Sequence, residues 1–235
     1  MAFNVDANGK LRPLDVIVLR DNRIDLLPGT RDYFESVPGR PGEYDFGCDL
    51  DSMLLELHCA VETTKAGWPA KRAVIAGYLN PLLGEQDLTF ADEPGRVYKV
   101  RYAGSVSVTN FIDGREFTIP FKMCKPYRIA TTESVLVGSG TATNGGNVET
   151  PCVVEIIGPV TNPTVTIGGV EMTYTGIVTA SDTVQIDTEG YICTFNGVNA
   201  LANYNLKFPH LSVGANYVIA ASGGTTYVKW RNRWI

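Results

Sequence analysis

Hydrophobic and polar residues alternate along much of this chain, and the alternation is most regular between residues 53 and 61. The odd positions of this stretch are apolar: Met53, Leu55, Leu57, Cys59 and Val61. The even positions include Glu56 and His58. Because a strand turns successive side chains to opposite faces, the pattern predicts a strand with one buried and one polar face. His58 and Cys59 then point in opposite directions, and we do not expect them to bind one metal ion.

Short strands joined by turns account for most of the remaining pattern. Residues 117–123 alternate in the same way and follow Asp113-Gly114, a pair typical of a two-residue hairpin turn. Pro94-Gly95 fits the centre of a type II turn, whose third residue needs a positive φ. The chain is therefore predicted to be mostly β, with two β-sandwich-like domains.

One short helix is predicted, from about Pro69 to Asn80. Apolar residues recur there at helical spacing, at Val74, Ile75, Tyr78 and Leu79. Pro69 suits the first turn of a helix, and Pro81 disfavours helical backbone at Asn80. We expect the helix to cover one face of the N-terminal domain.

A change in composition divides the chain. Residues 131–150 are rich in glycine, serine, threonine and asparagine, which is typical of a linker or a long loop. The sequence thus predicts an N-terminal β domain over residues 1–130 that contains the single helix. It predicts a C-terminal β-sandwich over residues 151–235.

Charge and cysteine content narrow the classes of function. The formal net charge of the 235 residues is −5, which argues against a protein that wraps DNA on a basic face. The five cysteines are scattered and form no C-x-x-C pair, so we expect reduced thiols rather than disulfides or a zinc ribbon. We see no signal peptide at the N-terminus and no stretch of membrane-spanning length, and we expect no membrane insertion.

Residues for catalysis are few. A histidine base would have to be His58 or His210, and the chain has no G-x-S-x-G motif. Acidic residues are abundant, but their spacing matches no recognised calcium loop and does not fix a pair of catalytic carboxylates. We predict a protein that is not an enzyme and that has no catalytic residues, no cofactor and no metal.

Several segments, in this order, resemble the siphophage distal tail protein family. They are GEYDFG at residues 42–47, LNPLLGEQDLTFADEPGRVYKVRY at 79–102, REFTIPFKMCKPY at 115–127, NPTVTIGGVEMTYTG at 162–176, FNGVNAL at 195–201 and FPHLSVGANYVI at 208–219. The resemblance covers nearly the whole chain and keeps the family's domain order. It implies that the C-terminal sandwich is galectin-like.

The resemblance also implies a role and a set of partners. Members of the family are structural virion proteins whose N-terminal domains form a hexameric ring, the baseplate hub at the end of the tail. The expected partners are five further copies of the chain, the tail tube protein, and tail tip, fibre or hub proteins, with a receptor-binding protein as a further candidate. DNA is expected only in transit through the channel of the ring. The expected location is the tail tip of the virion, after synthesis in the cytoplasm of a bacterial host.

Two sets of residues are candidates for surfaces of such a ring. The turn between residues 90 and 98 is a candidate ring contact, with the residues Phe90, Asp92, Glu93, Pro94, Gly95, Arg96 and Tyr98. An acidic segment is a candidate channel wall, because negative charge repels the phosphates of passing DNA; its residues are Glu43, Asp45, Asp49 and Asp51.

A glycan-binding β-sandwich is the alternative function. It would need exposed aromatic rings as a platform, and the candidates are Tyr191, Tyr227, Trp230 and Trp234. In the last strand Trp230 and Trp234 share the parity of Val228, which favours packing in the core.

Overall fold

The computed structural model describes residues 2–21, 27–111, 114–220 and 223–235. The chain forms two compact units, one of residues 1–128 with Ile235 and one of residues 129–234. The mostly-β, two-domain class with one short α-helix is confirmed.

The first domain consists mainly of short strands. Its elements are β1 (Ala2–Val5), β2 (Lys10–Arg12), β3 (Val16–Asp21), β4 (Thr30–Ser36), β5 (Glu43–Leu50), β6 (Met53–Glu62), α1 (Trp68–Tyr78), a 3-10 turn (Pro81–Leu83), β7 (Gln86–Phe90), β8 (Arg96–Tyr102), β9 (Val108–Phe111) and β10 (Gly114–Met123). A further strand, β11 (Arg128–Ala130), crosses the boundary between the units.

Seven strands of the first domain close into a barrel. Their order is β8-β7-β1-β2-β3-β6-β10, and β10 pairs back to β8 at Phe121–Tyr102 and Lys122–Arg101. All neighbours in this barrel are antiparallel except β1 and β7, which are parallel. Closure removes the free edges that an open sheet would expose. One apolar core fills the interior of the barrel.

The alternation predicted for residues 53–61 is present in β6. Leu55, Leu57 and Cys59 are buried, whereas Glu56 and His58 are partly exposed on the outer face. The facing strand β10 buries its own apolar row in the same interior. Alternation of period two is therefore sufficient to define the inside and the outside of the barrel wall.

Helix α1 covers one side of this core, as predicted. Ile75 and Leu79 are buried in the core of the barrel, while Val74 is exposed. The helix runs over residues 68–78, and Pro81 starts a 3-10 turn instead of a further α-helical turn. The side chain of Asn80 accepts a hydrogen bond from the backbone N–H of Leu82 at 3.0 Å, which caps that turn.

The second domain is built from strands alone, apart from one 3-10 turn. Its elements are β12 (Ser134–Val137), β13 (Gly140–Asn144), β14 (Cys152–Ile157), β15 (Val160–Thr161), β16 (Thr164–Ile167), β17 (Val170–Thr173), β18 (Ile177–Val178), β19 (Thr183–Asp187), β20 (Ile192–Phe195), β21 (Val198–Asn199), the 3-10 turn (Leu201–Asn203), β22 (Gly214–Ile219), β23 (Thr225–Trp230) and β24 (Arg233–Trp234).

Two sheets share one core in the second domain. The order in one sheet is β12-β23-β14-β19-β20-β21, and the order in the other is β13-β22-β16-β17. Val154 and Val228 from the first sheet lie in the same buried cluster as Val165 and Val218 from the second. Such a shared interior is what defines a β-sandwich.

The prediction of a linker or long loop at residues 131–150 was wrong. This segment contributes β12, which pairs with β23, and β13, which pairs with β22. Ala142 of β13 is fully buried. Gly138, with φ of 73°, provides the tight turn between the two strands. The small residues that favoured a linker thus form a turn and two strands. The partners of these strands, β23 and β22, lie far along the chain, from Ser134–Trp230 to Asn144–Gly214.

Burial divides the five cysteines, and it predicts their reactivity. Cys59, Cys152 and Cys193 are buried, whereas Cys48 and Cys124 are exposed. Burial raises the pKa of the Cys59 thiol and of the Cys152 thiol to about 12, which suppresses the reactive thiolate. We expect a thiol reagent such as DTNB to titrate two thiols in the native protein and all five after unfolding. Rapid reaction of more than two native thiols would contradict the buried positions.

Candidate functional site

The turn between β7 and β8, a candidate ring contact, contains both exposed and buried residues. Asp92, Pro94 and Gly95 are exposed. Gly95 has φ of 82°, as the third residue of the predicted type II turn requires. Phe90 and Tyr98 are buried in the core of the barrel, with 3% of their surface exposed, so their side chains are not available to a neighbouring subunit. The part of these two residues in the ring contact stays a prediction, and burial limits it to their backbone.

Strand parity explains the burial of Phe90 and Tyr98. Phe90 follows Leu88 on the buried face of β7, and its ring packs edge-to-face against Tyr98 with 5.3 Å between centroids. The Tyr98 hydroxyl donates a hydrogen bond of 2.7 Å to Oε2 of Glu93. Arg128 Nη1 lies 3.9 Å from the other oxygen of Glu93. Glu93 therefore fixes the turn to the barrel, and Arg96 beside it is half-buried.

The four channel-wall candidates lie on or next to a hairpin outside the barrel. Within the described residues, β4 and β5 pair only with each other. Every residue of the two strands is exposed except Leu50, which is half-buried. Residues 27–51 contain six carboxylates and two arginines, a net charge of −4 in a chain of net charge −5. We call residues 30–50 the acidic hairpin.

A bulge changes the side-chain parity of the acidic hairpin. Asp32 pairs with Cys48, and the next pair is Phe34 with Asp45, so β5 has one residue more than β4 between these pairs. Gly47, with φ of 92°, lies at this bulge. Residues of β5 on the two sides of the bulge therefore exchange faces.

The bulge separates the four acidic candidates. Glu43 accepts a hydrogen bond of 3.1 Å from the Ser36 hydroxyl, and Asp49 accepts one of 2.7 Å from the Tyr33 hydroxyl. Ser36 and Tyr33 are three residues apart on β4 and point to opposite faces. Glu43 and Asp49 thus lie on opposite faces of the acidic hairpin.

The other two acids also have partners within the hairpin region. Asp45 accepts a hydrogen bond of 2.8 Å from the backbone N–H of Gly47, and Asp51 forms an ion pair of 2.9 Å with Arg31. The hydrogen bond to Asp51 raises the pKa of Arg31, and the hydrogen bond to Asp49 raises the pKa of Tyr33. Negative charge consequently borders both faces of the hairpin.

One face of the acidic hairpin carries aromatic side chains, which we call the aromatic face. Tyr44 and Phe46 lie on this face, with ring centroids 6.4 Å apart, and Tyr33 is on the same side of β4. The Arg40 guanidinium lies 4.1 Å from the centre of the Tyr44 ring. All three rings are exposed to solvent, and such clustering of exposed apolar surface marks an interaction site. Alternation along the sequence does not reveal this face, because it does not tell which segments lack a core to pack on.

The aromatic residues of the alternative glycan site do not form a platform. Trp230 is buried in the core of the second domain. Tyr227 and Trp234 are half-buried, and only Tyr191 of the four is exposed. The parity argument for packing of Trp230 in the core is confirmed.

Both histidines have hydrogen-bond partners. His58 Nδ1 lies 2.8 Å from the Thr118 hydroxyl, and its Nε2 lies 3.3 Å from Nη2 of Arg20. Arginine can only donate, so Nε2 accepts and Nδ1 carries the proton. His210 Nε2 lies 3.3 Å from the carbonyl oxygen of Thr188.

No three His, Cys, Asp or Glu side chains in residues 2–21, 27–111, 114–220 and 223–235 come together in a group that could hold a metal ion. In the same ranges, neither length nor hydropathy would allow any helix to cross a membrane.

Family models match both halves of the chain. Residues 10–123 match the phage tail protein RIFT-related domain, and residues 145–234 match the siphovirus-type tail component, C-terminal domain. The chain belongs to the siphophage distal tail protein family. It is thus a component of a siphovirus-type phage tail.

Solved structures of distal tail and baseplate proteins are similar to this chain. The SPP1 Dit protein (gp 19.1) matches with a TM-score of 0.82 and 15% identity, over 100% of this chain and 98% of that one. Phage p2 baseplates in the activated conformation match over 91% of this chain and 90% of theirs. The structure with Ca has a TM-score of 0.40 and 10% identity, and the structure with Sr has 0.46 and 11%. No curated protein matches the sequence.

The buried position of Tyr98 in this distal tail protein leads to a prediction. Tyr98→Phe removes one hydrogen bond to Glu93 and should lower the free energy of unfolding by about 1 kcal/mol. It should leave self-association unchanged, because the aromatic side chain of Tyr98 is buried in the core of the barrel. Urea denaturation and light scattering measure the two effects. A change in oligomeric state at unchanged stability would return Tyr98 to the ring contact.

Proposed function

We propose that this protein is the subunit of a hexameric ring at the distal end of a siphophage tail. The ring joins the tail tube to the host-adhesion apparatus and lets DNA pass through its channel. The observation that carries the proposal is the acidic hairpin, a two-stranded sheet without a buried face. A hairpin of this kind is marginally stable in water on its own, so contact with another molecule would stabilise it.

Self-association is the simplest source of that contact. A protruding element that binds a different surface of an identical subunit makes a heterologous contact, and such contacts close into rings when the rotation permits. Six subunits per ring and the neighbours in the tail follow from the family resemblance. The SPP1 Dit protein is described as a paradigm of the hub adsorption apparatus in phages that infect Gram-positive bacteria, and we carry the hub role over to this chain.

The partners follow from this position in the tail. We propose that the ring contacts the tail tube protein on one side and tail tip, fibre or hub proteins on the other, with a receptor-binding protein as a further partner. The subunit is made in the cytoplasm of the host and then incorporated at the tail tip. It acts as a structural part without a catalytic step, and its C-terminal sandwich is of the galectin-like type.

Charge supports a channel for DNA. The acidic hairpin holds most of the net negative charge of the chain, with carboxylates bordering both faces. A channel wall that repels phosphates lets the duplex slide, whereas a basic wall would hold it by counterion release. Glu43, Asp45, Asp49 and Asp51 are the residues that we propose for this wall.

The ring is tested by light scattering and negative-stain images of the full chain and of a variant without the hairpin strands. Thr30 and Leu50 are cross-strand partners, so two glycines can replace residues 31–49 without stretching the backbone. We expect hexameric rings for the full chain. The shortened variant should be a monomer whose urea midpoint is unchanged, because the barrel does not use the hairpin.

Two outcomes would contradict parts of this proposal. Rings formed by the shortened variant would show that the hairpin is not the ring contact. A full chain that stays monomeric, also when mixed with purified tail tube protein, would argue against the ring itself.

The channel wall is tested with charge reversals. Glu43→Lys with Asp45→Lys should allow the ring to bind a fluorescent DNA duplex at low salt, with an affinity at least about tenfold above the wild type and a steep loss in added salt. Glu149→Lys with Glu171→Lys is the matched control, since it changes the charge equally at exposed positions of the second domain. Fluorescence anisotropy measures both affinities. Equal binding by the two variants would place the hairpin acids outside the channel.

A further inference from the structure

An apolar groove lies between α1 and the strands β9 and β10 of the barrel. Its volume is about 310 Å³. Its main lining residues are Trp68, Ile75, Leu79, Tyr102, Val108 and Phe117. This volume is at the lower end of the roughly 300–1,000 Å³ of small-molecule sites, and the lining offers few polar groups that could orient such a ligand. The groove is better suited to a few apolar side chains of a polypeptide.

A buried arginine lies beside this groove. Arg115 is 9% exposed, and its guanidinium is 5.7 Å from the centre of the Trp68 ring that lines the groove. Its Nη1 donates a hydrogen bond of 2.7 Å to the carbonyl oxygen of Gly114, while its Nε has no hydrogen-bond partner among the described residues. No carboxylate of the described residues pairs with it. A buried charge without a counterion is costly, so a carboxylate brought by a partner would stabilise this position.

The rim of the groove adds a second cation and a strand edge. Arg72 of α1 lines the groove and is exposed. Strand β9 ends the sheet on this side, and its four residues, 108–111, are all exposed. An exposed edge strand presents unpaired backbone groups to which another strand can bind.

We propose that this groove receives the acidic hairpin of a second copy of the chain. The aromatic face of the hairpin, with Tyr33, Tyr44 and Phe46, supplies the apolar side chains. Glu35 projects from the same side of β4 as Tyr33, and it has no hydrogen-bond or ion-pair partner among the described residues. Its carboxylate complements Arg72 and Arg115.

Charge and topology favour a second copy as the occupant. The hairpin region has a net charge of −4, whereas Arg72 lines the groove and Arg115 lies behind its Trp68 ring. The hairpin and the groove are different surfaces of one domain. Each subunit can therefore insert its hairpin into one neighbour and accept the hairpin of the other neighbour, as a closed ring requires. The inference rests on the proposed ring and names its contact.

The first test is a charge exchange in the full chain. Arg72→Glu and Glu35→Arg should each weaken self-association by about tenfold in analytical ultracentrifugation, and the double variant should restore it. Arg101→Glu is the matched control, because Arg101 is exposed on β8 and does not line the groove; it should change the association constant by less than about twofold. Arg115→Met removes the buried charge at similar length and should also weaken association. Single variants that assemble like the wild type would overturn the proposal.

A crosslink locates the contact independently. Arg31 is exposed on the same side of β4 as Tyr33, so Arg31→Cys places a benzophenone maleimide on the aromatic face, with Cys48→Ser and Cys124→Ser preventing label at the two exposed native thiols. Photocrosslinks between subunits should map to residues 68–79, 102–108 or 117. Rings whose crosslinks map elsewhere would disprove the groove while leaving the ring intact. A chain without rings and without intermolecular crosslinks would refute the proposed function, and the groove contact with it.

Discussion

The first domain depends on the pairing of β10 with β6. Ten consecutive residue pairs connect the two strands, from Gly114–Glu62 to Met123–Met53. The same strand closes the barrel through β8 and holds β9 at its other end. Its inward residues Phe117, Ile119 and Phe121 are buried, and each such side chain contributes about 1.5–3 kcal/mol through removal from water. The platform under α1 and the exposed edge of β9 both follow from this strand.

Barrel closure determines which parts of the chain are free for assembly. The acidic hairpin is inserted between β3 and β6, yet these two strands pair directly with each other. The barrel therefore does not need the hairpin, and the hairpin does not share its core. Elements added to a rigid scaffold in this way can carry exposed aromatic and charged residues without a cost to the fold. In the arrangement we propose, the apolar groove beside α1 belongs to the barrel and binds the hairpin of a second copy, and every subunit carries both surfaces.

The second domain keeps its loops in place with buried amides. The Asn144 side chain donates hydrogen bonds to the carbonyl oxygens of Val148 and Leu211, at 2.8 and 3.1 Å. The Asn216 side chain accepts from the N–H of Ser212 at 2.9 Å and donates to its carbonyl oxygen at 2.7 Å. Buried amides satisfied in this way fix glycine-rich segments whose composition alone resembles that of a linker. The two sheets accordingly include the part of the chain that composition assigned to no domain.

Local patterns determined the features that depend on neighbouring residues. Alternation identified β6 and β10, helical spacing and two prolines placed α1 within two residues of its ends, and Pro94-Gly95 defined a turn. Only the tertiary structure decided which apolar residues are buried, because Phe90 in the barrel and Phe46 on the hairpin occupy equivalent places in their local patterns. One extra residue at Gly47 moved the acids of β5 to different faces, and no periodicity reports such a bulge. Strand pairing and burial join residues far apart in the chain, so barrel closure, the unpartnered hairpin and the groove beside Arg115 are properties of the folded molecule.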